Sequence, residues 1–117
     1  QPQSDIPHFR HFLLENGFHI TEEEMILGDG KFYPILKVDR KTEEQTLPWS
    51  IQEEMFGRFL LEKRHSVLKK YLERELRIHE EILERLKEAA GESAVKRKKE
   101  IEEERQLILA ALNHYES

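Results

Sequence analysis

The side chains able to do chemistry in this 117-residue chain fall into three sets: six histidines among many carboxylates, a few hydroxyls, and two runs of Lys and Arg. The histidines show no metal-ligand spacing. His8 and His11 stand three apart, and no carboxylate completes a convincing set with them. The chain has no cysteine, which excludes disulfides and thiolate metal sites. No order of Ser, His and Asp suggests a hydrolytic triad, so neither a catalytic nor a metal-binding residue is expected. The basic runs are "EKRHSVLKK", with Lys63, Arg64, His65, Lys69 and Lys70, and "VKRKK", with Lys96, Arg97, Lys98 and Lys99. Their chemistry is electrostatic. Such clusters hold phosphates and position a substrate without reading its bases. The plainer reading is a solvated helix face, since "EIEEE" follows "VKRKK" directly.

Charge is unevenly spread. Residues 1–60 carry six Lys/Arg against eleven Asp/Glu, and residues 61–117 carry thirteen of each, within a net charge of −5. Global charge therefore does not announce a nucleic-acid binder, although local clusters act over about 8 Å at physiological salt. Hydrophobic residues make up 38% and charged residues 37%. That balance suits long solvated helices better than one compact globule. No run of eighteen apolar residues offers a membrane span. No signal peptide precedes the first helix pattern, and a cytoplasmic setting is expected. The first residue is Gln1 rather than Met, which fits a piece of a longer polypeptide.

The elements that must position these groups are legible in outline. "SDIPHFRHFLLENGF" predicts a helix over 5–16, capped by Ser4, with Pro7 in its first turn and Gly17 as its stop. Its apolar stripe is read as Phe9, Phe12, Leu13 and Ile6. Two apolar stretches flank Gly28-Asp29-Gly30 and predict an antiparallel hairpin with strands near 19–27 and 31–39. Pro34 cannot donate to a ladder, so a bulge or edge is expected there. One helix and two strands do not make a stable sheet, so this unit reads as the end of a larger α/β sheet.

Residues 40–50 read as a connector. Ser50 and Glu53 form a capping-box pattern for a short helix over 51–56. The stretch "EEMFGRFLLEKRH" then reads as a joint. Met55, Phe56, Phe59 and Leu60 would dock, and Gly57 would let the chain break. A long helix follows over about 65–90, with a heptad-like seam of Leu72, Leu76, His79, Leu83, Leu86 and Ala90. Gly91 stops it. A second helix over about 94–115 carries Ile101, Ile108, Leu112 and Tyr115 inward. Folding the pair about its turn sets Leu83 near Ile101, Leu76 near Ile108, and His79 against Arg105 in a polar layer. The fold expected is thus an α+β fragment followed by an antiparallel two-helix coiled coil. Its segments are 1–45 for the sheet piece, 46–64 for the short helix and joint, and 65–117 for the coiled coil.

In order and spacing, "LLENGF", "DGKFYPILKV", "EEMFGRFLLEKRH" and the terminal helix pair resemble the C-terminal part of the bacterial tRNA adenine-N1-methyltransferase family known as TrmK. The resemblance spans nearly the whole chain. Arg58 and Pro34 depart from it, standing where family members commonly carry Pro and Glu. It implies a class I, Rossmann-like methyltransferase domain that uses S-adenosylmethionine, followed by a coiled-coil domain that helps hold tRNA. In that scheme residues 5–16 are the last sheet-covering helix and 19–39 are strands six and seven. Gln1, Pro2 and Gln3 would then lie beyond a strand end, where their groups meet the flipped adenine. The Lys63–His65, Lys69–Lys70 and Lys96–Lys99 groups would contact RNA.

The Gly-rich loop and the ribose-holding acidic residue of such a domain are missing from these residues. The chain alone is therefore expected neither to bind S-adenosylmethionine nor to be active, and its first partner is the N-terminal methyltransferase segment. The rival expectation is a non-enzymatic helical-hairpin module that binds another protein.

Overall fold

The computed structural model describes residues 5–41 and 47–116. Its contacts divide the chain into two compact units, 1–68 and 69–117. The first holds one helix, a two-stranded sheet and two short helices. The second is built from the helical pair.

Helix α1 spans Ile6–Glu15, with proline in its first turn. The cap is Asp5 rather than the expected Ser4, which lies outside the described residues; Asp5 makes no side-chain cap bond. The helix stops where Asn16 N–H donates to the Leu13 carbonyl and Gly17 turns to φ +82. Its inward face differs from the one expected. Arg10 and Leu13 are buried, whereas Phe9 and Phe12 are 42% and 56% exposed. The helix has two apolar stripes, and the local packing uses the one containing Leu13.

Strands β1 (Phe18–Gly28) and β2 (Lys31–Arg40) pair antiparallel, with register running from Phe18↔Arg40 to Gly28↔Lys31. Asp29 and Gly30 both have positive φ, 51° and 74°, which is the signature of a two-residue type I′ turn. Of the two expectations for Pro34, the edge holds, since β2 has a partner on one side only among the described residues, and the bulge lies elsewhere. Pro34 sits within β2 opposite Met25, and the register shifts between Ile20 and Glu22. An extra residue at Thr21 reverses the alternation that follows. Ile20 is therefore buried with Glu23 and Met25, three and five positions on. Opposite them, Phe32 is buried and Pro34, Leu36 and Val38 are half-buried. The other face leaves Ile26, Tyr33 and Ile35 about half exposed.

Helix α2 (Ile51–Phe56) begins with both bonds of the capping box: Ser50 Oγ accepts from Glu53 N–H, and Glu53 Oε1 accepts from Ser50 N–H. Gly57, at φ +99, ends it. A second short helix, α3 (Arg58–Glu62), follows at once. The chain breaks again at Arg64, a non-glycine residue at φ +47. The joint thus bends at two places where the sequence marks one.

Helices α4 (Ser66–Leu86) and α5 (Glu92–Glu116) run antiparallel, since His79 meets Glu104 while Ala89, beyond the end of α4, meets Lys98. α4 ends four residues before the expected limit, and the connection includes Gly91 at φ +106. Leu72, Ile101, Ile108 and Ala111 are buried, while Leu76, Leu83, Leu86, Leu112 and Tyr115 are half-buried and Ala90 is exposed. The polar layer forms with a different partner from the one expected. His79 Nδ1–H donates to the Glu75 carbonyl at 2.7 Å, and Nε2 lies 2.8 Å from Glu104 Oε1. Arg105 instead reaches Glu80 and Glu102.

Candidate functional site

The joint is built around a buried ion pair. Arg10 Nε donates to Glu23 Oε2 at 2.9 Å, with the two side chains 2% and 0% exposed. Arg10 Nη1 donates to the carbonyls of Glu54 and Met55, both at 2.9 Å, at the C-terminal end of α2. Glu23 Oε1 accepts the backbone N–H of Phe59 at 3.1 Å, in the first turn of α3. The positive group thus meets carbonyls at a helix end, and the negative group meets a free N–H at a helix start. Four elements converge on two side chains. Removing charge from water is costly unless every lone pair and proton is used, and here no buried polar side-chain atom among the described residues lacks a partner.

Gly57 makes this approach possible. A Cβ at that position would lie 2.7 Å from Glu23 Oε2, 2.9 Å from Oε1 and 3.0 Å from Arg10 Nη2. Of the expected joint residues, Phe56 and Leu60 are buried, and Met55 and Phe59 are half-buried. Leu61, not singled out in the sequence, is buried as well. Phe59 meets Trp49 edge-on at 6.0 Å. Arg58 has a defined structural role. It pairs with Glu53, donates to the Leu47 and Pro48 carbonyls, and lies 4.9 Å over the Trp49 ring. It thereby ties the connector to α2. Burial works against ionisation of Glu53, but Arg58 and Ser50 outweigh it and hold the carboxyl below its ordinary range.

The basic residues divide by environment. Lys63 Nζ donates to the Glu23 carbonyl and to Glu24 Oε2, both at 2.7 Å. His65 Nε2–H donates to Glu24 Oε1 at 2.9 Å, while its Nδ1 accepts Val67 N–H in the first turn of α4. Lys63, then His65, hold the Glu24 carboxyl below its ordinary range. These two side chains are therefore already engaged in closing the α3–α4 bend. Arg64, Lys69 and Lys70 are exposed. Lys96, Arg97 and Lys99 are exposed near the helical turn, where half-buried Lys98 reaches the Ala89 carbonyl at 3.5 Å. Gln1, Pro2 and Gln3 lie outside the described residues. Among the described residues no group of three or more His, Asp or Glu is arranged to hold a metal ion. No described helix is long and apolar enough to cross a membrane.

The Arg10–Glu23 pair was not read from the sequence. "TEEEM" offers three consecutive glutamates, and only the bulge at Thr21 decides that Glu23 faces inward. The one available signal was Gly57, a glycine between two short helices.

A helix and a two-stranded hairpin with open apolar surfaces, joined to a long helical pair, define the class: an α+β chain. A solved structure from Streptococcus agalactiae, described as a protein of the NADB-Rossmann superfamily, matches with a TM-score of 0.76 at 25% identity, covering 92% of this chain and 43% of that one. An uncharacterized protein of Listeria monocytogenes serotype 4b matches with a TM-score of 0.82 at 23% identity, over 92% of this chain and 46% of its own. A Streptococcus pneumoniae protein, described as a candidate tRNA (m1A22) methyltransferase in complex with S-adenosyl-L-methionine, matches with a TM-score of 0.75 at 24% identity, over 95% and 44%. The chain spans less than half the length of these structures. The comparison with curated proteins found no match.

The chain belongs to the TrmK family, tRNA (adenine(22)-N(1))-methyltransferase, whose model matches residues 1–110.

Proposed function

We propose that these residues are the C-terminal portion of an S-adenosylmethionine-dependent tRNA (adenine-N1) methyltransferase. The observation that carries this reading is the family match over residues 1–110. The open apolar residues Ile26, Tyr33 and Ile35 on the hairpin, with Phe9 and Phe12 on α1, support it, because a larger sheet would cover them. In this reading the adenine N1 lone pair attacks the sulfonium methyl. The new N–C bond forms as the S–C bond breaks, and S-adenosylhomocysteine leaves. The cofactor pocket and the catalytic groups lie in the N-terminal methyltransferase segment. Gln1, Pro2 and Gln3 border the adenine, and the helical pair acts as a coiled coil that holds tRNA. The setting is cytoplasmic.

Titration calorimetry with S-adenosylmethionine tests the division of labour. The full-length protein binds the cofactor and residues 1–117 alone do not. Binding by residues 1–117 alone would overturn the division, and no binding by the full-length protein would overturn the cofactor assignment.

A further inference from the structure

The two basic clusters of the helical pair differ in what surrounds them. The part of the pair running from the His79–Glu104 contact to the turn and back holds Lys96–Lys99 together with nine glutamates. Residues 78–105 carry seven Lys/Arg against nine Asp/Glu. Lys87 pairs with Glu84 at 2.8 Å, and Lys98 is drawn onto the Ala89 carbonyl. Toward the other end, residues 69–77 of α4 carry Lys69, Lys70, Arg74 and Arg77 against Glu73 and Glu75. The antiparallel register set by His79–Glu104 brings residues 106–116 of α5 alongside, and Glu116 is the one acid in that stretch.

At 100° per residue, Lys70, Arg74 and Arg77 fall within about 60° of arc and about 10 Å of helix length. Leu72 and His79, both buried, lie on the opposite side of α4. The row therefore points outward; Lys70 and Arg77 are exposed and Arg74 is half-buried. Its lysine supplies a point charge and its arginines supply forks that match phosphate oxygens.

We infer that the Lys70–Arg74–Arg77 row, flanked by Lys69, is the face of the helical pair that holds the tRNA backbone, and that the Lys96–Lys99 cluster is not. This rests on the tRNA methyltransferase reading above. Arg74 and Arg77 are positioning residues in it. From His79 to Arg105 as a whole the carboxylates outnumber the cations, so that part of the pair offers a polyanion no net attraction. Along the row, the cations outnumber the acids and lie on one stripe.

The test is tRNA binding by the full-length protein across a salt series, with methylation kinetics. Replacing Lys70, Arg74 and Arg77 together by Ala lowers affinity at least about tenfold, and the slope of log K against log salt becomes shallower by about two. KM for tRNA rises while kcat at saturating tRNA is kept. Arg74→Lys with Arg77→Lys preserves charge and keeps most of the affinity, which separates charge loss from helix damage. Replacing Lys96, Arg97, Lys98 and Lys99 by Ala changes affinity by less than about twofold. Unchanged binding by the row variant overturns the inference, as does an equal loss in the cluster variant. An unmodified protein that binds no tRNA overturns both the row and the reading on which it rests.

Discussion

Gly57 and the Arg10–Glu23 pair constrain each other. The glycine's φ of +99 and the carboxylate oxygens less than 3 Å from a would-be Cβ leave no room for a side chain. Gly57→Ala is expected to cost about 2 kcal/mol or more, from backbone strain plus the clash, read as a lower urea midpoint. Arg10→Met removes one partner of a buried pair, strands the Glu23 carboxylate and leaves the Glu54 and Met55 carbonyls short of a donor. Such truncations cost about 3–5 kcal/mol. A midpoint within error of wild type would show that water replaces the guanidinium freely. Neither effect is legible in composition or periodicity. Arg10 lies in an amphipathic helix where a cation is expected outside, and Glu23 is one of three glutamates in a row.

Elements were far more legible than their faces. The Asp29-Gly30 turn, the capping box at Ser50 and Glu53, and the two long helices follow from local chemistry that acts within a few residues. The inward stripe of α1, the bulge at Thr21, the break at Arg64 and the His79–Glu104 contact depend on groups far away in sequence, and no local pattern carries them. Ser50→Ala is expected to cost about 1 kcal/mol through loss of the cap, measurable by denaturation. Acid acts on the same region. Glu24 and Glu53 titrate below their ordinary value of 4.5, so their contribution is present above that pH and is lost as pH falls below it. Unfolding midpoints of residues 1–68, probed through Trp49 fluorescence, therefore fall below pH 4.5. Glu24→Gln with Glu53→Gln flattens that acid limb. An unaltered acid limb in the double variant would contradict the assignment of these two carboxylates.

At the scale of the whole molecule, a two-stranded hairpin with exposed Ile26, Tyr33 and Ile35 is marginal by itself, and it precedes a helical pair with a basic row. In the proposed reading the first is the edge of a larger sheet and the second an arm for a charged substrate. The order of "LLENGF", "DGKFYPILKV" and "EEMFGRFLL" resembles the TrmK family, and the family match over residues 1–110 bears out that resemblance. What one chain's sequence did not reveal was the buried pair at the joint, because its partners come together only when α1, β1, α2 and α3 are packed. The most direct measurement is methyl transfer by the full-length protein to unmodified tRNA, using S-adenosylmethionine labelled in its methyl group. Label recovered as N1-methyladenine is the expected result. A folded, S-adenosylmethionine-binding protein that places no label on tRNA adenine would contradict the proposed function.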